Sequence, residues 1–188
     1  MTTGTLAGAN DRLPADVTIE PMAPGDRPAV DALVERCFGP ERRGRTANLL
    51  RGTSAPVPGL AFVAVARGAL VGAIRCHPVA WQAPFARPRP LLLLGPMVTA
   101  PERRGQGIGL ALLARVVAEL DAQALDCALI GDAPYYGRFG WSADVTQEWE
   151  LPGPVERHRL LLRARHPALY GGRAKLMAAA QAGLPAAA

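Results

Sequence analysis

Lysine is almost missing from this chain: Lys175 is the only one among 21 basic residues in 188, so arginine carries nearly all of the positive charge. That scarcity excludes a P-loop, whose Gly-Lys-Ser/Thr ending needs a lysine beside the phosphates. The formal net charge of +5 is scattered along the chain and builds no recognition helix of clustered basic residues with interleaved aromatics. We read it as a preference for anionic ligands, with no nucleic acid among the expected partners. Cysteine is also scarce. Cys37, Cys76 and Cys127 are odd in number and have no CxxC or metal-like spacing, which excludes a disulfide framework and predicts no metal. Long apolar runs are lacking too. Leu91–Leu94 is far too short for a bilayer, where about 18 uninterrupted apolar residues are needed. The first residues have no basic region followed by an apolar run, so a cytoplasmic protein without a membrane partner is expected.

The remaining composition, 49% hydrophobic with a mean hydropathy of +0.10, suits one globular domain. Residues 1–16 are small and polar and read as a flexible leader, 17–170 as the domain, and 171–188 as a C-terminal helix, over Arg173–Ala182, fading into a disordered Ala-rich tail. Within the domain, Val17–Glu20 predicts a short strand. Val30, Leu33, Val34 and Phe38 at helical spacing predict a helix, and Glu41–Arg51 a second, more basic one. Leu60–Ala66 and Ala69–His77 flank Arg67-Gly68 as a hairpin. Trp81–Pro90, with three prolines, reads as a loop. Leu91–Thr99 is nearly continuously apolar, as in a strand covered on both faces. Apolar residues four apart at Ile108, Leu112, Val116 and Leu120 predict a long amphipathic helix over Gly107–Ala124. Cys127–Ile130 is another buried strand and Pro134–Phe139 a helical turn. Gln147–Leu151 and His158–Ala164 read as a hairpin across a Pro-Gly-Pro turn. The order predicts a mixed α/β fold whose middle strands are parallel and joined by a right-handed crossover.

Chemistry concentrates in Pro101-Glu-Arg-Arg-Gly-Gln-Gly-Ile-Gly109, between the buried strand and the first turn of the long helix. Glycines at 105, 107 and 109 let the backbone approach a bulky anion, and a helix start offers unpaired N–H groups and a positive dipole end. Arg103 and Arg104 add charge-assisted contacts to phosphate oxygens. A pyrophosphate cradle is the reading. The dinucleotide fingerprint fits poorly, because its third glycine falls where Leu110 stands and no alternating βαβ fold precedes it.

The remaining match is to the pattern of Arg or Gln, two residues, Gly, one residue, then Gly or Ala, met by Arg104, Gly107 and Gly109. Downstream, Gly131-Asp-Ala-Pro-Tyr-Tyr-Gly-Arg-Phe-Gly-Trp141 follows the second strand. Together with Leu94-Gly-Pro-Met97, these motifs resemble GNAT superfamily N-acetyltransferases, in particular a small bacterial branch of predicted members. The resemblance covers Val17–Trp141 well and the last third loosely.

It implies the GNAT acyl-CoA N-acyltransferase fold, a central mixed β-sheet with a splayed parallel strand pair flanked by helices. It also implies a transferase that uses acetyl-CoA as co-substrate. Backbone groups of Met97, Val98 and Thr99 would bond pantetheine and polarise the thioester carbonyl. Arg104, Gly105, Gln106, Gly107, Ile108 and Gly109 would hold the pyrophosphate, and Tyr136 would be the catalytic residue that protonates the departing thiolate. Where many members have an asparagine after the second strand, this sequence has Gly131-Asp132, so no pantetheine contact carries over there. An uncharged primary amine would attack directly. Glu35, His77 and Asp132 are the candidate bases; each reads more simply as a solvated or locally bonded side chain. Cys76 reads as a small buried hydrophobe, and Tyr135 and Trp141 as packing. A small-molecule acceptor is favoured, and the protein would act as a monomer or homodimer. The competing reading is a non-catalytic acyl-CoA-binding sensor or regulatory domain.

Overall fold

The computed structural model describes residues 13–184. The leader's first residues, 1–12, and the tail 185–188 lie outside them. Eight strands form one mixed sheet. β1 (Val17–Pro21), β2 (Ala61–Ala66), β3 (Ala69–Gln82) and β4 (Arg89–Thr99) are successive antiparallel neighbours. The expected hairpin turn at Arg67-Gly68 is present, with φ of +49° and +79° at its two residues, the pair of positive values that a two-residue turn between twisted strands requires. α1 (Arg27–Phe38) and α2 (Thr46–Arg51) come between β1 and β2. α3 (Ile108–Ala122) carries the chain from β4 to β5 (Cys127–Ile130), which runs parallel to β4.

Alternation along β3 sets the layers. Gly72 lies under α3, where an added Cβ would stand 3.0 Å from Ile108 and 3.1 Å from Leu112. Three residues on, Arg75 turns to the opposite face and donates to Asp31 of α1 at 2.8 Å. The four-apart set of α3 is fully buried against the sheet, as its spacing requires.

β4 breaks from regular pairing at one place. Ile74 faces Met97 while Cys76 faces Leu94, so three steps along β4 match two along β3. The bulge falls at Gly95-Pro96, where proline has no N–H to give to a ladder. On its other edge β4 pairs with β5 only at Leu92↔Cys127 and Leu93↔Ala128. Beyond that point the two parallel strands separate.

Several expectations for the less patterned segments are corrected. Glu41–Arg51 is not one helix: a 3₁₀ turn at Pro40–Gly44 is followed by Arg45 in an extended conformation (ψ 142°), which restarts the chain as α2. The loop at Trp81–Pro90 shrinks at both ends, because β3 runs to Gln82 and β4 starts at Arg89. The predicted hairpin across Pro-Gly-Pro does not form. β6 (Trp149–Glu150) pairs in parallel with β8 (Ala174–Ala178), and β7 (Leu160–Arg163) pairs with β5. The expected helix at Arg173–Ala182 is instead strand β8 (Ala174–Ala178) and a 3₁₀ turn at Ala179–Ala182. Alanine's helix preference is a few tenths of a kcal/mol per residue, and here it loses to pairing with the far half of β3, which buries Ala174, Leu176 and Ala178 on one face.

β8 belongs to a second core formed by Trp81, Trp149 and Tyr170 with Leu91, Leu93 and Leu160. Trp149 has no exposed surface, and its Nε1 donates to the carbonyl of Tyr170 at 3.0 Å. Trp81 packs edge-on to Tyr170 with centroids 5.2 Å apart. Among the described residues no helix is long and apolar enough to cross a membrane. We expect Trp149→Ala to cost roughly 3–5 kcal/mol in chemical denaturation, the range for emptying a buried aromatic site. A loss below 1 kcal/mol would show that this core is not part of the cooperative unit.

Candidate active site

The strand that leaves β5 at the bulge runs straight into the cradle. After Thr99 a 3₁₀ turn at Pro101–Arg103 leads to Gly107, which is the residue before α3 and has φ +80°. A side chain is strained at that φ, so glycine permits the turn that aims the helix start outward. No side chain caps α3 and no acidic residue stands in its first turn. Its leading N–H groups are therefore open to an anion.

A cavity of about 420 Å³ lies in front of this helix start. Met97, Val98, Thr99, Arg104, Gly105, Gly107, Ile108 and Gly109 all line it; Gln106 does not. Arg103 is committed elsewhere, to Asp16 at 3.0 and 3.2 Å, and its guanidinium holds the Asp16 carboxyl below the usual range. Arg104 is exposed and free for a phosphate. Sequence reasoning missed Arg138, which also lines the cavity and stands 5.5 Å from the centre of the Tyr135 ring. Its signal was in plain view, a cation inside the Tyr-Tyr-Gly-Arg-Phe-Gly motif.

A second, larger cavity of about 1200 Å³ opens beside the first, lined by both β4 and the end of β5. Its wall comes from the end of α1, the 41–51 segment, the bulge at 94–97, the end of β5 and the 154–159 loop. Phe38 and Met97 line both cavities, so the two spaces meet at the splayed strand.

The tyrosine pair divides between them. Tyr136 lines the larger cavity, whereas Tyr135, expected only to pack, lines the cradle. Their rings meet edge-on, 5.0 Å apart, and Tyr136 packs on Trp141. Tyr136 presses so closely on Gly131 that an added Cβ would fall 2.4 Å from its ring, which only glycine tolerates. Burial first, then Tyr135 and Asp132, pushes the Tyr136 hydroxyl up to about 12, so it stays protonated at neutral pH.

The three candidate bases separate sharply. Glu35 is held by Arg42 at 2.9 Å and Arg43 at 3.6 Å, away from the cavity. His77 is buried, with Nδ1 against the Ser54 carbonyl at 3.1 Å. Burial, then Arg51 and Arg75, drives it down to about 3, so it is neutral. Asp132 alone lines the larger cavity, paired with Arg159 at 3.3 Å. Cys76 and Cys127 are fully buried, and burial together with Cys76 raises the Cys127 thiol, so Cys127 offers no thiolate.

The site is thus an open helix start beside a splayed parallel pair, with a second cavity meeting the first at Phe38 and Met97. The model of the acetyltransferase (GNAT) domain matches residues 18–143, and the chain belongs to that family. Among solved structures, the GNAT family N-acetyltransferase YhbS from Escherichia coli in complex with CoA has a TM-score of 0.67 at 20% identity, covering 85% of this chain and 89% of its own. A GNAT family acetyltransferase from Brucella melitensis, in complex with acetyl-CoA, has a TM-score of 0.62 at 23% identity, with 86% and 94% covered. Both likenesses are of fold. Comparison with curated proteins returned no match.

Gly107→Glu places a carboxylate and bulk against the cradle and should abolish acetyl-CoA binding in calorimetry with the melting curve little changed. Arg104→Ala should weaken binding only mildly; unchanged affinity in Gly107→Glu would remove the cradle assignment.

The depressed His77 pKa links stability to acid. The unfolded chain takes up a proton below about pH 6.5 that the folded chain refuses until about pH 3. Stability should therefore be complete above pH 6.5 and fall as pH drops through that window, by a few kcal/mol in total. His77→Gln should flatten this limb in denaturation measured from pH 7 to pH 4.

Proposed function

We propose that this protein transfers the acetyl group of acetyl-CoA to a primary amine, with a small molecule favoured as acceptor. The observation that carries the reading is the meeting of the two cavities at Phe38 and Met97, beside the stretch where β4 has parted from β5. Met97, Val98 and Thr99 would present backbone groups to pantetheine, and Arg104, Gly105, Gly107, Ile108 and Gly109 would hold the pyrophosphate. The co-substrate, when bound, supplies an activated thioester. The strand amide near Met97 would stabilise the oxyanion that forms as an uncharged amine enters from the larger cavity.

Tyr136 would give a hydrogen bond to the departing sulfur. A phenol pushed up to about 12 does not hand its proton outright to a thiolate of pKa near ~8.5, so the proton that the amine nitrogen loses on becoming a neutral amide is the one that ends the reaction on the sulfur. A hydrogen bond to a charged acceptor is worth about 1.5–3 kcal/mol. Asp132 lines the same cavity as Tyr136 and would take part in that exchange.

A donor-binding sensor is the competing reading, and it gives no use for a cavity of about 1200 Å³ adjoining the cradle. The deciding experiment is an acceptor screen that reports free thiol, run beside a ligand-bound structure. Acetyl-CoA binding with no acceptor turned over would favour the sensor.

Tyr136→Phe should lower kcat roughly ten- to hundredfold, with acetyl-CoA affinity within a few-fold of the parent. Tyr135→Phe, on the cradle side, should change donor affinity more than kcat. The reverse pattern would give the role to Tyr135.

A further inference from the structure

Four arginines line the larger cavity: Arg42, Arg45, Arg51 and Arg159. Three have a carboxylate. Arg42 pairs with Glu35 at 2.9 Å, Arg45 with Glu41 at 3.6 Å and Arg159 with Asp132 at 3.3 Å. Among the described residues Arg51 has none. The acids that face the same space are already engaged, Glu41 and Asp132 as above and Glu156 with His158 at 3.3 Å.

Arg51 is the last residue of α2, and Gly52, at φ +53°, turns the chain away after it. Its backbone carbonyl is used, accepting from the N–H and hydroxyl of Ser54 at 3.1 and 2.6 Å. The guanidinium is not. One of its Nη atoms lies 3.9 Å from where a Gly95 Cβ would stand, which puts the charge at the bulge of β4, two residues before Met97.

Its neighbours make that position more positive. Burial first, then Arg75 and Arg42, pushes its pKa down to about 10, and it keeps its charge at neutral pH. Arg75 spends its own charge on Asp31. His77, beside both arginines, is neutral. A largely desolvated cation without a counter-charge is costly, and the planar fork of arginine fits a carboxylate or a phosphate better than any neutral group.

We propose that Arg51 anchors the anionic group of the acceptor, so that the substrate is a primary amine that also carries a carboxylate or phosphate. This rests on the acetyltransferase reading above and names the substrate class for it. The amine would lie toward Met97 and Tyr136 while the anion occupies the pocket at the Gly95 bulge, so that one ion pair fixes which end of the substrate meets the thioester.

The test uses the full chain and twin substrates. Amino acids are compared with their primary amides, and O-phosphoethanolamine with ethanolamine, by thiol release. N-acetyl amino acids and their amides are titrated by calorimetry as probes that need no turnover. The anionic twin should lead by roughly ten- to hundredfold in kcat/KM and in affinity, the range of one charge-assisted contact. The better of the carboxylate and phosphate series names the anion. Arg51→Gln should erase the lead and Arg51→Lys restore part of it, both with acetyl-CoA affinity unchanged. Equal or better use of neutral amines or polyamines overturns the proposal, as does a lead that survives Arg51→Gln, or a failure of every anionic probe to saturate the parent. If the acetyltransferase reading alone is wrong, acetyl-CoA fails to bind while the anionic probes still bind through Arg51.

Discussion

The site depends on one break in a hydrogen-bond ladder. β4 is a buried central strand that pairs with β3 along nearly its whole length, yet on its other edge it holds β5 for only two residue pairs. A parallel pair buried in a sheet normally continues until a strand ends, because unpaired backbone groups there are expensive. The bulge at Gly95-Pro96 turns the strand's direction and leaves its freed edge facing a space instead of a neighbour. The glycine turn before α3, the larger cavity and the Tyr135–Tyr136 pair are all arranged around that opening.

Two unrelated stretches of packing hold the opening apart. On the cradle side, α3 is anchored by its buried apolar stripe, so its uncapped start cannot drift toward β5. On the other side, the second core of Trp81, Trp149 and Tyr170 fixes β6 and β8 against the far half of β3 and positions the loop at 154–159, which walls the larger cavity. The family model ends at residue 143. The larger cavity is thus partly built from chain that lies beyond the matched residues.

Charge follows the same division. Arg104 and Arg138 stand free or on an aromatic face at the cradle, while the larger cavity pairs most of its arginines with acids and leaves Arg51 exposed to its contents. The near absence of lysine fits both sides. Guanidinium keeps its charge when partly buried and meets flat anions with two parallel donors, which an ammonium does not.

The cradle was legible in sequence because its physics is local: glycine spacing, an amphipathic helix of period four and a continuous apolar strand each act within about fifteen residues. The same locality made Val17–Pro21, the Arg67-Gly68 turn and Cys127–Ile130 readable to within a residue or two. What only the tertiary structure decided depends on partners distant in the chain. Ala174–Ala178 is a strand because the far half of β3 has an open edge for it, and no local preference announces that. Trp149 and Leu160 look like two arms of a hairpin, yet each pairs with a different strand. Tyr135 and Tyr136 are chemically alike and adjacent, and which faces the cradle was set by Gly131 yielding space to the second ring. Arg51 is indistinguishable in sequence from nineteen other arginines; its want of a carboxylate exists only where α2, the β4 bulge and Arg75 converge, because charge pairing is a property of neighbours in space.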